Sequence, residues 1–411
     1  MHDTRTPSGV RVVCEPMREV GSVTLGVHVG VGGRDEPDAL AGASHFLEHL
    51  LFKGTDRIDA RTLAASVDAR GGEMNAYTAR EHTAFHLRVP ARELEFAVDL
   101  LAEVITRPSL SPDDVESERD VILDELALSE DEPEDRVHSL CIEALFPGHP
   151  LGREVLGTTD SITAMRRDAV VRFHAEHYGP ANLVVAAAGR LDPGELNERV
   201  EAAFGGSPHG AQVPARSGPA APPLPRAALR RSTEQVHVCY GWRSLPAEHP
   251  DRFALAVLDH VLGSGMSSRL FHEIRERRGL AYSVYSSRSS HSDAGAFLVY
   301  AGCLPDRFAE LRAVLDGELD HLCAHGISAE ELDVAKGYLG GSLVLGLEDS
   351  ASRMSRLGEG VMSRGRVVPL DEVLDGIAAV RLDDVARVVA SVVAGPRTVA
   401  VVGPLAAADL A

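Results

Sequence analysis

The chain repeats itself. From Ala84 a strand-like run (AFHLRVP) leads through a helical stretch into SPDDVESERDVILDELALSEDEPEDRV. From Ala296 a second run (AFLVYAG) leads through a helical stretch into SAEELDVAKGYLGGSLVLGLEDSASRM. Earlier in each half, SVTLGVHVGVGGRDEP is echoed by EQVHVCYGWRSLPAEHP, each followed by apolar residues at helical spacing. Self-similarity on this scale restricts the fold to copies of one structural unit. Between the copies lies SPHGAQVPARSGPAAPPLPRAALR (207–230), rich in Pro, Ala and Arg, the make-up of an extended linker. Runs such as VRVVCEP, VTLGVHVG, TAFHLRV, NLVVAAAG and RTVAVVG are short and bounded by turn residues, as strands are. The expected class is α+β: two homologous α/β-sandwich domains related by duplication, each an antiparallel-rich sheet packed with helices. The expected bounds are 1–206 for the first domain, 207–230 for the linker and 231–411 for the second. Two unrelated α+β domains are the alternative, and the matches through the two S-x-[DE]-[DE] segments argue against it. Each half is long enough to bury its own core.

Charge narrows the partners. With 61 acidic and 41 basic residues the net charge is −20, a field that repels phosphate backbones and anionic membrane surfaces. Neither nucleic acid nor a membrane is expected as a partner. No apolar run approaches the roughly 18 residues of a membrane span, and the first residues lack the apolar core of a secretory signal. The five dispersed cysteines form no C-x-x-C pair and read as reduced thiols, so the expected location is the cytoplasm.

The chemistry concentrates in ASHFLEHLLFKGT. His45 and His49 stand four apart in a run free of Pro and Gly from Ala43 to Lys53, hence one above the other on a helix face, and Glu48 borders that face. Two imidazoles on adjacent turns can chelate Zn²⁺ while the carboxylate reaches a water on the metal. The order H-x-x-E-H inverts the common zinc-protease helix. An amphipathic helix with two surface histidines is the competing reading. A catalytic zinc needs a third protein ligand. Ser111 caps a helix expected from Pro112 to about Ser129, with Pro at its first position and acids in its first turn. On it Glu118 and Glu125 are seven apart, so one face carries both. Glu125 can offer a carboxylate to a metal and Glu118 can orient an imidazole; equally, both can be solvated acids of a surface helix.

HFLEHLLFKGT, followed by GGEMNAYTAREHT and ERDVILDEL, closely resembles the pitrilysin-type inverzincin zinc metallopeptidases, in the short bacterial form similar to the mitochondrial processing peptidase. The resemblance runs through essentially the whole chain. It implies that the third ligand is Glu125, which stands 76 residues after His49, and that Glu118 assists. It implies a role for Asn75 in a turn and edge strand that pair with substrate backbone, where Asn75 contacts substrate or stabilises the turn. In FHEIRERRGLAYSV it implies that Arg275 holds substrate and Tyr282 donates to the oxyanion. Solvation of a surface is the plain alternative there, since Arg269, Arg277 and Arg278 crowd the same segment. His82 and His86 are read as ordinary neighbours on the following strand, and Gly263-Ser-Gly lacks the Lys-[Ser/Thr] of a phosphate loop.

The second half lacks the motif. Aligning FLEHLL with VLDHVL pairs Glu48 with Asp259, His49 with His260 and His45 with Ala256. Glu125 and Glu118 then meet Ser342 and Ala335. Two of the three ligands are gone, so one Zn²⁺ per chain is expected. The whole reads as a zinc-dependent endopeptidase with Glu48 as general base, and the resemblance implies that it acts in a chamber on peptides or unfolded polypeptide. With zinc ligands in one half and Arg275 and Tyr282 in the other, the resemblance implies a homodimer with shared active sites. The alternative is a non-catalytic or heterodimer-dependent subunit of a processing-peptidase-like complex.

Overall fold

The computed structural model describes residues 1–207 and 213–405. Eleven strands among them form two sheets. The first sheet contains β1 (His2–Arg5), β2 (Arg11–Pro16), β3 (Ser22–Val29), β4 (Glu73–Thr78), β5 (Thr83–Pro90) and β6 (Leu183–Gly189), ordered β1-β2-β6-β3-β5-β4. The second contains β7 (Arg226–Arg230), β8 (Val236–Ser244), β9 (Ser283–Ser290), β10 (Gly295–Cys303) and β11 (Thr398–Gly403), ordered β7-β11-β8-β10-β9.

Duplication is written into the hydrogen bonding. In the first sheet β2 and β6 are parallel, and β6–β3, β3–β5 and β5–β4 are antiparallel. In the second β7 and β11 are parallel, and β11–β8, β8–β10 and β10–β9 are antiparallel. Strand for strand the pattern is the same, with β1 added at one edge of the first sheet.

Successive residues of a strand point to opposite faces, and in the central strands both sets are buried, so each sheet is covered on both sides there. In β6, Leu183, Val185 and Ala187 join one core with Leu25, Val27, Phe46, Leu50, Val98 and Leu101. Val184, Ala186 and Ala188 face the other way, onto Met354, Leu357, Val361 and Val367. The second sheet does likewise: Val238, Tyr240 and Trp242 enter one core, and Cys239 meets Val137, Cys141 and Leu145 on the other side.

The cover on that second face is exchanged. The Ser350–Arg364 helix belongs to the later half of the sequence yet packs on β6 and β3, and the Pro133–Leu145 helix of the earlier half packs on β11 and β8. The compact units therefore comprise 1–126, 154–216 and 345–367 in one, and 127–153, 217–344 and 368–411 in the other. They do not follow the expected bounds of 1–206 and 231–411, because each sheet needs an apolar helix that its own half does not supply. The expected linker, 207–230, is also shorter than its composition suggests. Residues 208–212 lie outside the described residues. Arg216 is tied to Asp35 through two bonds of 2.7 and 2.8 Å, and 226–230 form β7 with alternate residues exposed. Composition marked Arg226, Ala228 and Arg230 as linker, whereas Ala227 and Leu229 are the buried side of an edge strand.

The exchanged helix lies close to the first sheet. Gly358 packs on the imidazole of His28 and Gly26 packs on the Met354 thioether, and a Cβ at either glycine would overlap its neighbour. Gly358→Ala should therefore destabilise the fold by about 1–3 kcal/mol, the usual range for overpacking. Thermal and denaturant unfolding check this, with an unchanged midpoint as the contrary result.

Candidate active site

The Ala43–Leu51 helix starts at Gly42, whose left-handed backbone (φ 92°) suits a glycine. Its first amides are satisfied from a distance: the buried Glu36 carboxylate accepts from the Gly42 and Ser44 N–H groups, both at 2.7 Å. Phe46, Leu47, Leu50 and Leu51 fix one face in the core. His45, Glu48 and His49 project from the rest, with the two imidazole centroids 4.7 Å apart.

The Pro112–Asp131 helix begins as its sequence predicts, with Ser111 Oγ accepting from the Asp114 N–H at 3.1 Å. Val115, Ile122 and Leu126 bury in the same core as the first helix. Their spacing turns Glu118 and Glu125 toward the histidines. Glu125 Oε2 lies 3.7 Å from His45 Nε2 and 3.6 Å from His49 Nε2. One ligand atom from each of the three residues lies within 4.8 Å of the others, and no other such group occurs among the described residues. A tetrahedral ion with bonds near 2.0–2.1 Å needs ligand separations of about 3.3 Å; the two Glu125 separations are already near that value, and the widest pair must draw in by about 1.5 Å to hold zinc.

Glu118 is not a solvated acid. It is buried, accepts from His49 Nδ1–H at 3.1 Å and is paired with Lys53 Nζ at 2.5 Å. A carboxylate can only accept, so the proton sits on His49 Nδ1 and Nε2 keeps its lone pair on the side of Glu125, free to ligate an ion. Burial, helped by the neighbouring His49, pulls the His45 pKa down to about 4, which keeps that imidazole neutral and able to ligate. Its Nδ1 is buried without a hydrogen-bond partner among the described residues. Glu48 receives a 2.5 Å hydrogen bond from Thr78 Oγ1 at the end of β4. Burial raises its pKa, opposed by the Thr78 bond and by His49. A bound cation would act in the opposite sense to burial.

Sequence reasoning passed over Lys53, Thr78 and Glu36. Lys53 was findable, four residues beyond His49 on the same helical line; Thr78 and Glu36 were not, because only the tertiary fold brings them in.

Asn75 lies on β4, an edge strand, where its Oδ1 accepts from the Ala76 N–H at 2.8 Å. His86 is opposite it on β5, while His82 precedes that strand instead of lying on it; its Nε2 is 3.3 Å from the Tyr77 hydroxyl. Arg275 and Tyr282 belong to the other compact unit, apart in sequence from all three ligands. There Arg275 Nη1 donates to the Tyr282 carbonyl at 3.0 Å, its guanidinium stacks 4.3 Å from the tyrosine ring centroid, and the Tyr282 side chain is 78% exposed. The residues matching the zinc helix in that unit serve packing. Asp259 is buried and accepts from Ser286 Oγ at 2.7 Å, and His260 stacks on Tyr338 at 4.3 Å. Among the described residues no helix is long and apolar enough to cross a membrane.

Comparison with known proteins converges on one group. Residues 11–159 match the model of insulinase, peptidase family M16, and residues 164–339 match the peptidase M16 inactive domain. An uncharacterized zinc protease of Streptomyces coelicolor is 44% identical over 98% of this chain and 89% of its own length. One of Mycobacterium tuberculosis is 44% identical over 98% of this chain and 92% of its own, and the YmxG zinc protease of Bacillus subtilis 35% identical over 92% of each. Among solved structures, a protease from Helicobacter pylori matches with a TM-score of 0.91 at 23% identity over 98% of both chains. A peptidase M16 inactive domain from Pseudomonas fluorescens matches with a TM-score of 0.91 at 21% identity, over 99% of this chain and 98% of that one. At those identities the two structures establish the fold.

The Glu118 contacts make a prediction. Replacing Glu118 by Gln leaves Lys53 unpaired and weakens the hold on the His49 tautomer, so zinc retention against a chelator should fall about 10–100-fold without being abolished. A chelator titration identical to wild type would return Glu118 to the role of a purely structural acid.

Proposed function

The chain belongs to peptidase family M16, the insulinase family, and from that premise we propose that it is a zinc-dependent endopeptidase hydrolysing peptides or unfolded segments of polypeptide. The observation that carries the reading is the convergence of His45, His49 and Glu125, with Glu48 on the helix that bears the two histidines. His45, His49 and Glu125 would hold one Zn²⁺ per chain and leave a fourth position open. Bound there, the ion supplies an acidified water and polarises the peptide carbonyl.

The rest falls to the protein. Thr78 occupies Glu48 Oε2, leaving Oε1 to take the proton of the attacking water and pass it to the leaving amine. Glu118 keeps His49 in the ligating tautomer. β4 receives an extended substrate through main-chain hydrogen bonds, which tolerates many sequences and rejects folded proteins; Asn75 would contact it along that strand. Tyr282 would donate to the oxyanion, where a positioned donor often contributes most, and Arg275 would hold substrate. The exposure of Tyr282 and its prior alignment by Arg275 support a role toward a second copy of the chain, in a two-fold dimer with shared sites.

A non-catalytic subunit is the rival, and the complete His-x-x-Glu-His set with its third ligand speaks against it. A chain dependent on a different partner is the other, and the presence of both the ligands and the Arg275–Tyr282 pair favours self-sufficiency.

One experiment bears on activity and assembly together. Glu48→Gln protein should retain zinc yet cut quenched peptides orders of magnitude more slowly than wild type, and an Arg275→Ala/Tyr282→Phe chain should also be impaired. After subunit exchange, half the dimers are mixed and each mixed dimer has one intact site, so activity should recover to about a quarter of wild type. Exchange confirmed by mass with no recovery would exclude shared sites. A wild-type protein that holds zinc and cuts no unstructured peptide would exclude the peptidase.

A further inference from the structure

The end of β4 is gripped from two sides. Successive residues of a strand point to opposite faces, and here Thr78 and Tyr77 are both hydrogen-bonded. Thr78 Oγ1 donates to Glu48 on the side of the zinc-ligand helix. Tyr77, on the opposite face, donates its hydroxyl to Glu359 Oε1 at 3.2 Å, with His82 Nε2 3.3 Å from the Tyr77 hydroxyl oxygen and the Tyr77 and His82 rings edge to face at 5.6 Å. Glu359 comes from the exchanged Ser350–Arg364 helix. Its place is set by neighbours on that helix: Met354, Leu357 and Val361 buried against β6, and Gly358 seated on His28. Burial and the adjacent Glu359 carboxylate raise the pKa of the Tyr77 phenol, so it remains a neutral donor.

Position matters at this end of the strand. A shift by one residue along a strand displaces a paired chain by about 3.3 Å, as large as the whole separation of about 3–3.5 Å at which reacting atoms must be held. β5 fixes β4 along one edge only, leaving the other for a substrate chain. The Thr78 bond ties the strand to the general base but does not restrain its opposite face.

We propose that Glu359 is a positioning residue for substrate: through its hydrogen bond with Tyr77 it holds the outer face of β4, so that a peptide added to the free edge lies in register with Glu48. The inference rests on the peptidase reading and deepens it, since a residue 282 positions after Tyr77 then sets how the substrate strand is received. Glu359 touches neither the reacting atoms nor the metal ligands, and its effect is on binding.

The test is a small set of variants with two independent readouts. Glu359→Ala and Tyr77→Phe each remove the bond, and Glu359→Gln keeps an acceptor. For an unstructured peptide, Glu359→Ala and Tyr77→Phe should each raise KM about three- to tenfold, the size of one hydrogen bond, with kcat and zinc content unchanged. The double variant should be no worse than either single one, and Glu359→Gln should stay close to wild type. The second readout needs no turnover: amide hydrogen exchange across 73–78 should quicken in Glu359→Ala and Tyr77→Phe, and exchange in β6 should not. If KM and β4 exchange both match wild type, or if the two substitutions add in the double variant, the proposal is overturned. If wild type cuts no peptide, the peptidase reading has failed by itself, and the β4 exchange rates decide whether Glu359 holds the strand.

Discussion

Two helices share one apolar core and meet along their polar edges, and the site depends on that packing. Phe46, Leu47, Leu50 and Leu51 of the first, and Val115, Ile122 and Leu126 of the second, are all buried in the same cluster. Burying each such side chain contributes about 1.5–3 kcal/mol, far more than a half-exposed carboxylate can contribute to holding a helix. The apolar contacts therefore set the helix positions, and the ligand atoms follow from them. This is the arrangement a metal site requires, with donors on rigid elements supported from behind. Glu118 supplies the support: buried, paired with Lys53 and bonded to His49, it orients that imidazole from behind.

Much of this was legible in the sequence because local rules coincide with the final structure. The H-x-x-E-H spacing predicts a common face, and Ser111 with Pro112 predicts the start of the second helix; both hold. The duplication visible in AFHLRVP and AFLVYAG reappears as identical strand pairing in the two sheets. What could not be read was which helix covers which sheet. The apolar stripe of Met354, Leu357 and Val361 shows that the Ser350–Arg364 helix buries a face, but the stripe carries no address, and its target lies in the other half of the chain. The same holds for Thr78, whose bond to Glu48 joins residues 30 apart. Composition misled at 226–230, where arginines flanking Ala227 and Leu229 resembled linker and form an edge strand.

The exchange of helices has a functional consequence. A sheet with both faces buried cannot be completed by its own half, so the unit that carries His45, His49 and Glu125 is finished only when 345–367 has folded onto it. Duplication supplied two copies of one pattern, and divergence then separated their tasks. One copy kept His45, His49 and Glu125, while the matching positions of the other carry Ala256, His260 and Ser342, with His260 stacked on Tyr338. That second copy instead holds Arg275 against Tyr282.

The central claim is that His45, His49 and Glu125 together form a zinc site. Zinc-edge X-ray absorption combined with elemental analysis of the purified wild-type and Glu125→Gln proteins tests it most directly. The account predicts one zinc per chain in wild type, bound by two imidazole nitrogens and oxygen donors at about 2.0–2.2 Å, and loss of most of the metal in Glu125→Gln. A zinc with sulfur neighbours, or full zinc occupancy with unaltered coordination in Glu125→Gln, would contradict it.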